Sequence, residues 1–187
     1  VNNDTAYYQG NELQVIKYYY LFLIPGGDEL KVSGYLVYPK NKLKLPGILF
    51  LHGFESESDE VVNDLFELAN KGYAVFLIDL LGFGESSKQF SLNDLVPSDS
   101  DLKSSYFYPA SLAIKRAIDH IASLPFIDQD KIILIGHNLG GLFTYIVGGL
   151  DVRVRYLIVL FAGGDFLQMI SSGIYESLLL SLSLIHI

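Results

Sequence analysis

The chain has 187 residues, half of them apolar, 18% charged and 13% aromatic, which suits one globular domain with a real core and excludes a disordered chain. Its 13 basic and 21 acidic residues leave a net charge of −8, the wrong sign for a phosphate backbone, so nucleic acid is not expected as a partner. The lack of cysteine excludes disulfide frameworks, thiolate catalysis and Cys-ligated zinc, and no apolar run reaches the roughly 18 residues of a membrane span.

Taken in chain order, the polar residues 1–13 are expected as a loose end. Runs at 14–24 and 29–38, rich in Tyr, Val, Leu and Ile, flank Pro25-Gly26-Gly27-Asp28 and predict a β-hairpin. Ile48-Leu49-Phe50-Leu51 is the short continuous apolar run of a strand covered on both faces. Val61, Val62, Leu65, Leu68 and Ala69 recur at helical spacing, and Gly72 stands where a helix C-terminal glycine belongs. A strand at 74–78 follows, then a polar stretch from 82 to about 105. Ile114, Ala117, Ile118, Ile121 and Leu124 mark an amphipathic helix ended by Pro125. The alternation then repeats with a strand at 131–135, a helix from 139 to about 148 and a strand at 156–161. Strands alternating with amphipathic helices predict an α/β fold, a mostly parallel sheet with helices on both faces and the hairpin at its N-terminal side. In such sheets function gathers in the loops at the C-terminal ends of the strands.

Three of those loops carry the chemistry: His52-Gly53-Phe54, then Asp79-Leu80-Leu81-Gly82-Phe83-Gly84-Glu85-Ser86, then Gly136-His137-Asn138-Leu139-Gly140-Gly141. The third has the frame G-x-S-x-G of a nucleophile elbow, a sharp strand-to-helix turn that exposes one side chain above the sheet. In this order, the three loops resemble the α/β-hydrolase superfamily. The hairpin and the stretches GYLVYPK, LPGILFLHG and IDQDKIILIGHNLGG resemble more closely its dienelactone-hydrolase-like and prolyl-oligopeptidase-like serine hydrolases. The likeness covers about 14–170 and implies hydrolysis of a small-molecule ester or a peptide, with no cofactor and no metal. It implies an oxyanion hole made by the backbone N–H groups of Leu139 and Phe54. It also implies that His52 and His137 are structural rather than catalytic.

Position 138, the nucleophile position, should be Ser and is Asn. A carboxamide has no ionisable proton and a delocalised nitrogen lone pair, so covalent catalysis is expected to fail. Asn does accept the positive φ of the turn, so the fold can survive the change. A point error, an inactive variant and a true pseudoenzyme are all open here, and an Asp nucleophile is one base away. The resemblance places the triad acid and His after strands beyond the sixth, so the last two strands are expected to be missing and the domain, 14–181, to be partial. Asp165 is a candidate acid, with helix capping as its alternative. His120 is expected on the polar side of its helix. Leu182-Ser183-Leu184-Ile185-His186-Ile187 is what CTG-TCT-CTT-ATA-CAC-ATC encodes, a transposase adapter end, so 182–187 are expected to be a sequencing artefact and His186 not the triad base; a Leu- and Ile-rich helix end is the alternative. The acidic residues Glu55, Glu57, Asp59, Glu60, Asp64 and Glu67 fit a solvated helix N-terminal face. The stretch 85–108 is long enough for a lid or pocket rim, or for a disordered insertion. A Rossmann-like nucleotide site is disfavoured because the phosphate-loop glycine spacing is absent after the first strand.

Overall fold

The computed structural model describes residues 2–8, 11–24, 29–40, 42–53, 58–87 and 105–162. They form β1 (Asn2–Tyr8), β2 (Asn11–Leu23), β3 (Glu29–Pro39), β4 (Leu45–Leu51), α1 (Ser58–Asn70), β5 (Ala74–Ile78), α2 (Phe107–Ser123), β6 (Ile127–His137), α3 (Leu139–Leu150) and β7 (Val154–Leu160). One sheet runs in the order β1-β2-β3-β5-β4-β6-β7. β5, β4, β6 and β7 are parallel neighbours, as their apolar runs and intervening helices predict. β1, β2 and β3 add an antiparallel wing on the β5 side.

Side-chain alternation divides the core between the two faces. On β5, Ala74, Phe76 and Ile78 join the cluster that holds Ile114, Ile118 and Ile121 of α2 and Phe143 and Val147 of α3. Val75 and Leu77 point the other way, to Val61, Leu65 and Ala69 of α1. A strand buried on both faces has no polar position to spare, which is why these strands read as unbroken apolar runs.

The boundaries differ most from the sequence expectation at three places. The opening residues are not loose: Asn2–Tyr8 pair antiparallel with β2 across the register Asn2↔Lys17 to Tyr8↔Asn11. The outer edge of β2 offers a row of N–H and C=O groups that a polar segment satisfies as well as an apolar one. α2 begins at Phe107, well before Ile114, and its early turns bury Pro109, Ala110, Ser111 and Ala113. These small residues carry almost no apolar periodicity. β6 begins at Ile127 and its pairing with β4 shifts register between Pro46 and Gly47, so Asp128-Gln129-Asp130 interrupt the strand pattern without ending the strand. The expected turn at 25–28, most of the 85–108 stretch and residues 163–187 lie outside the described residues.

Candidate active site

β4 lies between β5 and β6. From β4 the chain steps to one side for β5 and then returns to the other side for β6, so the strand order reverses there. The crevice above such a switch point is where open α/β sheets bind ligands. The three loops singled out in the sequence leave β4, β5 and β6 at this edge.

The loop after β6 turns at Asn138, whose φ of 52° and ψ of −113° lie in a region that non-glycine residues avoid. The turn is held from all sides. The Asn138 N–H donates to the Leu160 carbonyl (2.9 Å), and the Asn138 carbonyl accepts the Leu142 N–H (3.2 Å), the first bond of α3. A Cβ at Gly140 would collide with the Leu51 and His52 carbonyls, and one at Gly136 with the Gly140 carbonyl and the Thr144 hydroxyl. The glycines therefore let α3 start directly against β4 and β6. The Asn138 carboxamide makes no capping bond to α3, so it stands at the tip of the turn. Leu139 follows as the first residue of α3, its side chain buried and its N–H in the orphan set that every helix leaves at its start.

Gly53 brings the first loop against this turn. A Cβ there would lie 2.9 Å from the Asn138 Cβ and 3.0 Å from His137 Nδ1. Phe54, the expected second oxyanion donor, lies outside the described residues. His52 is buried with both ring nitrogens engaged: Nδ1–H donates to the Gly53 carbonyl (2.8 Å) and Nε2 accepts the Leu80 N–H (3.1 Å). Burial pushes its pKa below the ordinary imidazole value, outweighing the Gly53 carbonyl and the Asp79 charge, which raise it. A neutral ring that ties the first loop to the second has no free nitrogen for proton transfer. The His137 ring packs edge-on against Phe161, with ring centroids 5.3 Å apart, and its buried Nδ1 has no hydrogen-bond partner among the described residues.

The second loop is fastened to β3 by a network that motif reading did not find. Ser33 Oγ–H donates to Asp79 Oδ2 (2.7 Å), the Ser33 N–H donates to Ser86 Oγ (3.0 Å), and Ser86 Oγ–H donates to the Asp79 carbonyl (2.7 Å). Lys31 and Ser87 add a reciprocal pair of bonds. β5 is short and pairs only with residues 34–37 of β3, so the loop takes over the free edge at 31–33. Gly84, at φ +50°, sits where a Cβ would run into the Asp79 carboxylate. Tyr106 closes the loop from below, its buried hydroxyl donating to the Leu81 carbonyl (2.7 Å). Ser33 and Ser87 lie outside the second motif loop, and nothing in their spacing ties them to Asp79.

The remaining candidates do not gather here. His120 is in the last turn of α2, which leads into the start of β6, so it lies at the opposite edge of the sheet from Asn138. Its ring packs on Tyr18 and Phe76, and burial lowers its pKa. Asp165 and His186 lie outside the described residues. Of the acidic residues near α1, Glu67 pairs with Lys71 (2.7 Å). Among the described residues no three His, Asp or Glu side chains form a metal-binding group, and no helix is long and apolar enough to cross a membrane.

Residues 7–162 match the family model for acetyl xylan esterase (AXE1). The chain belongs to this family. It is 28% identical over 138 residues to an esterase FrsA of Klebsiella pneumoniae subsp. pneumoniae, covering 73% of this chain and 27% of that protein. Acetyl xylan esterase 1 from Thermoanaerobacterium sp. JW/SL YS485 has the same fold, with a TM-score of 0.64 at 20% identity over 83% of this chain and 50% of that one. The acetyl xylan esterase from Paenibacillus sp. R4 gives 0.60 at 21% identity, over 83% and 51%. The chain thus spans about half the length of these solved relatives and about a quarter of the FrsA esterase. The α/β-hydrolase superfamily expected from the three loops is the one found, and the family shown within it is AXE1.

Proposed function

We propose that this chain is the nucleophile-bearing part of a hydrolase of carboxylic esters, and that with Asn at 138 it is inactive as it stands. The observation that carries the reading is the Asn138 turn, with φ 52° and ψ −113° at the start of α3, in a chain of an esterase family. A Ser in that turn would attack an acyl carbon, and the N–H groups of Leu139 and Phe54 would stabilise the oxyanion that forms. The family's name makes acetyl esters of xylan the first substrates to try; amide or peptide bonds are the alternative substrate class. Asn138 supplies the position but not the nucleophile. The second reading is a non-catalytic binding protein that keeps the site, and the carboxamide at 138 is the observation that favours it.

The test is hydrolysis of p-nitrophenyl acetate. The chain should show no turnover above the background of an oxyanion hole, and Asn138→Ser in this chain should restore little, because His52 is neutral and fully engaged. In a longer form that adds an acid and a His, Asn138→Ser should raise turnover by orders of magnitude, since triad members act as a unit. Turnover that stays at background in that longer variant favours the binding role. Hydrolysis by the unmodified chain that is indifferent to Asn138→Ala would place the nucleophile elsewhere.

A further inference from the structure

The turn that presents Asn138 also aligns its side chain with the next backbone nitrogen. At an L-residue the Cβ lies about 120° from the amide nitrogen around the Cα–C bond. A ψ of −113° therefore brings the Asn138 Cβ to within about 10° of eclipsing the Leu139 nitrogen. A five-membered imide through Leu139 N and the Asn138 carboxamide carbon needs that near-coplanarity. An Asn in a regular helix must rotate ψ by about 80° to reach it, and one in a strand by about 105°.

We propose that Asn138 is a self-deamidation site. The Leu139 nitrogen attacks the Asn138 carboxamide carbon and gives up its proton to solvent, and the carboxamide nitrogen leaves as ammonia. Water then opens the succinimide, its oxygen ending on the carbonyl that is released. The product is an aspartate, or an isoaspartate if the main-chain carbonyl opens.

Three further features favour the closure. The Leu139 N–H has no intrahelical acceptor and makes no backbone hydrogen bond among the described residues. The Asn138 carboxamide is not committed to a cap. The turn cannot relax away from its ψ, because the Leu160 and Leu142 bonds and the contacts of Gly136 and Gly140 hold it. In an unstructured chain a Leu after Asn slows the reaction by crowding the attack, whereas here the Leu139 side chain is packed into the core. The close contact of Gly140 with the Leu51 and His52 carbonyls leaves no room for the extra backbone carbon of isoaspartate, so aspartate is the expected product. This inference does not depend on the esterase reading. Its consequence is a carboxylate at the tip of the elbow, a group able to act as a nucleophile where a carboxamide is not.

The tryptic peptide 132–153 contains Asn138 as its single Asn and no Gln, so a mass gain there assigns the site. The chain is incubated at neutral pH in H₂¹⁸O, in buffer and in guanidinium chloride, then digested in ordinary water and weighed. Replacing the amide group by a labelled hydroxyl adds about 3 Da. The gain should form at least about tenfold faster in buffer than in denaturant, because only the fold pre-orients the two groups. A rate in buffer equal to or below that in denaturant would overturn the proposal. Asn138→Gln, whose longer side chain closes the five-membered ring no longer, should lose the gain; its persistence in that variant would also overturn it.

Discussion

His52 shows at the scale of one residue how burial decides chemistry. A histidine next to Gly53 at the C-terminal end of a central strand has the address of a catalytic base. Its two nitrogens are nevertheless spent on Gly53 and Leu80, and its pKa is held below 6.5 by burial. Stability follows from that direction. Above about pH 6.5 neither the folded nor the unfolded chain protonates this ring. As the pH falls below that value the unfolded chain takes up a proton first, and folding loses stability until the folded pKa is reached. The unfolding free energy from guanidinium titrations should therefore be flat near pH 7.5 and fall towards pH 5.5, by at most about 1.4 kcal/mol per pH unit from this group. His120 adds a change of the same sign. His52→Gln should flatten the profile in part; a profile unchanged by that variant would mean that the ring is not the titrating group. Asn138 teaches the complementary lesson. Its place at the strand-to-helix turn was legible from the glycine frame of 136 and 140 read together with the two other loops, and the fold gives those glycines their reason, since a Cβ at either would strike backbone. The hold of the Leu160 carbonyl on its N–H was not legible, because it joins neighbours in space rather than in sequence.

Among the elements, the four parallel strands and the helices packed on them were legible because burial on both faces, or on one stripe, writes itself as apolar runs and helical periodicity. β1 was hidden because an edge strand is specified by backbone pairing, and the start of α2 because Ala and Ser carry little pattern. The join between α3 and β7 was hidden for a third reason, that charge networks form across elements. Arg153 donates to both Asp151 carboxylate oxygens (2.8 and 2.6 Å) and to Asp119 on α2 (2.8 Å). The bond from Arg153 holds the buried Asp151 carboxyl below the usual carboxylate range. Lys115, 3.9 Å from Asp151, is its other cationic neighbour. Removing the guanidinium leaves the buried carboxylate with the Arg153 backbone N–H (3.1 Å) and the more distant Lys115, and losing a charged partner costs several kcal/mol when both groups are fully buried. Arg153 is partly exposed, so solvent lowers that figure. Arg153→Met should destabilise folding by roughly 1–3 kcal/mol. Asp119→Ala, which removes the more exposed acceptor of Arg153 together with the exposed Arg116 pair (3.0 Å), should cost less than about 1 kcal/mol. Equal losses in the two variants would show that Asp151 does not need the arginine.

For the whole molecule, the sheet ends at β1, whose polar strand pairs with β2, and at β7. Among the described residues β7 pairs with β6 alone and is exposed along most of its length. Leu157 leans towards α3, where a Cβ at Gly148 would meet its side chain. Tyr156, Ile158 and Leu160 project from the other face, Tyr156 60% and Ile158 44% exposed. A strand with unpaired backbone groups and an apolar row beside them is a template for pairing with another chain. Opposing this is a net charge of −8, whose repulsion acts over about 8 Å at physiological salt and over shorter distances as salt rises. Apolar contact gains from the same change. The chain should therefore self-associate, and more so with added salt, in sedimentation velocity runs over a range of concentrations. Tyr156→Lys with Ile158→Lys should reduce association at every salt concentration. The unfolding free energy should change by no more than about 1 kcal/mol, because Tyr156 is mostly in water and Ile158 nearly half so. A monodisperse monomer in high salt, or association untouched by the two lysines, would show that the β7 edge is not the contact.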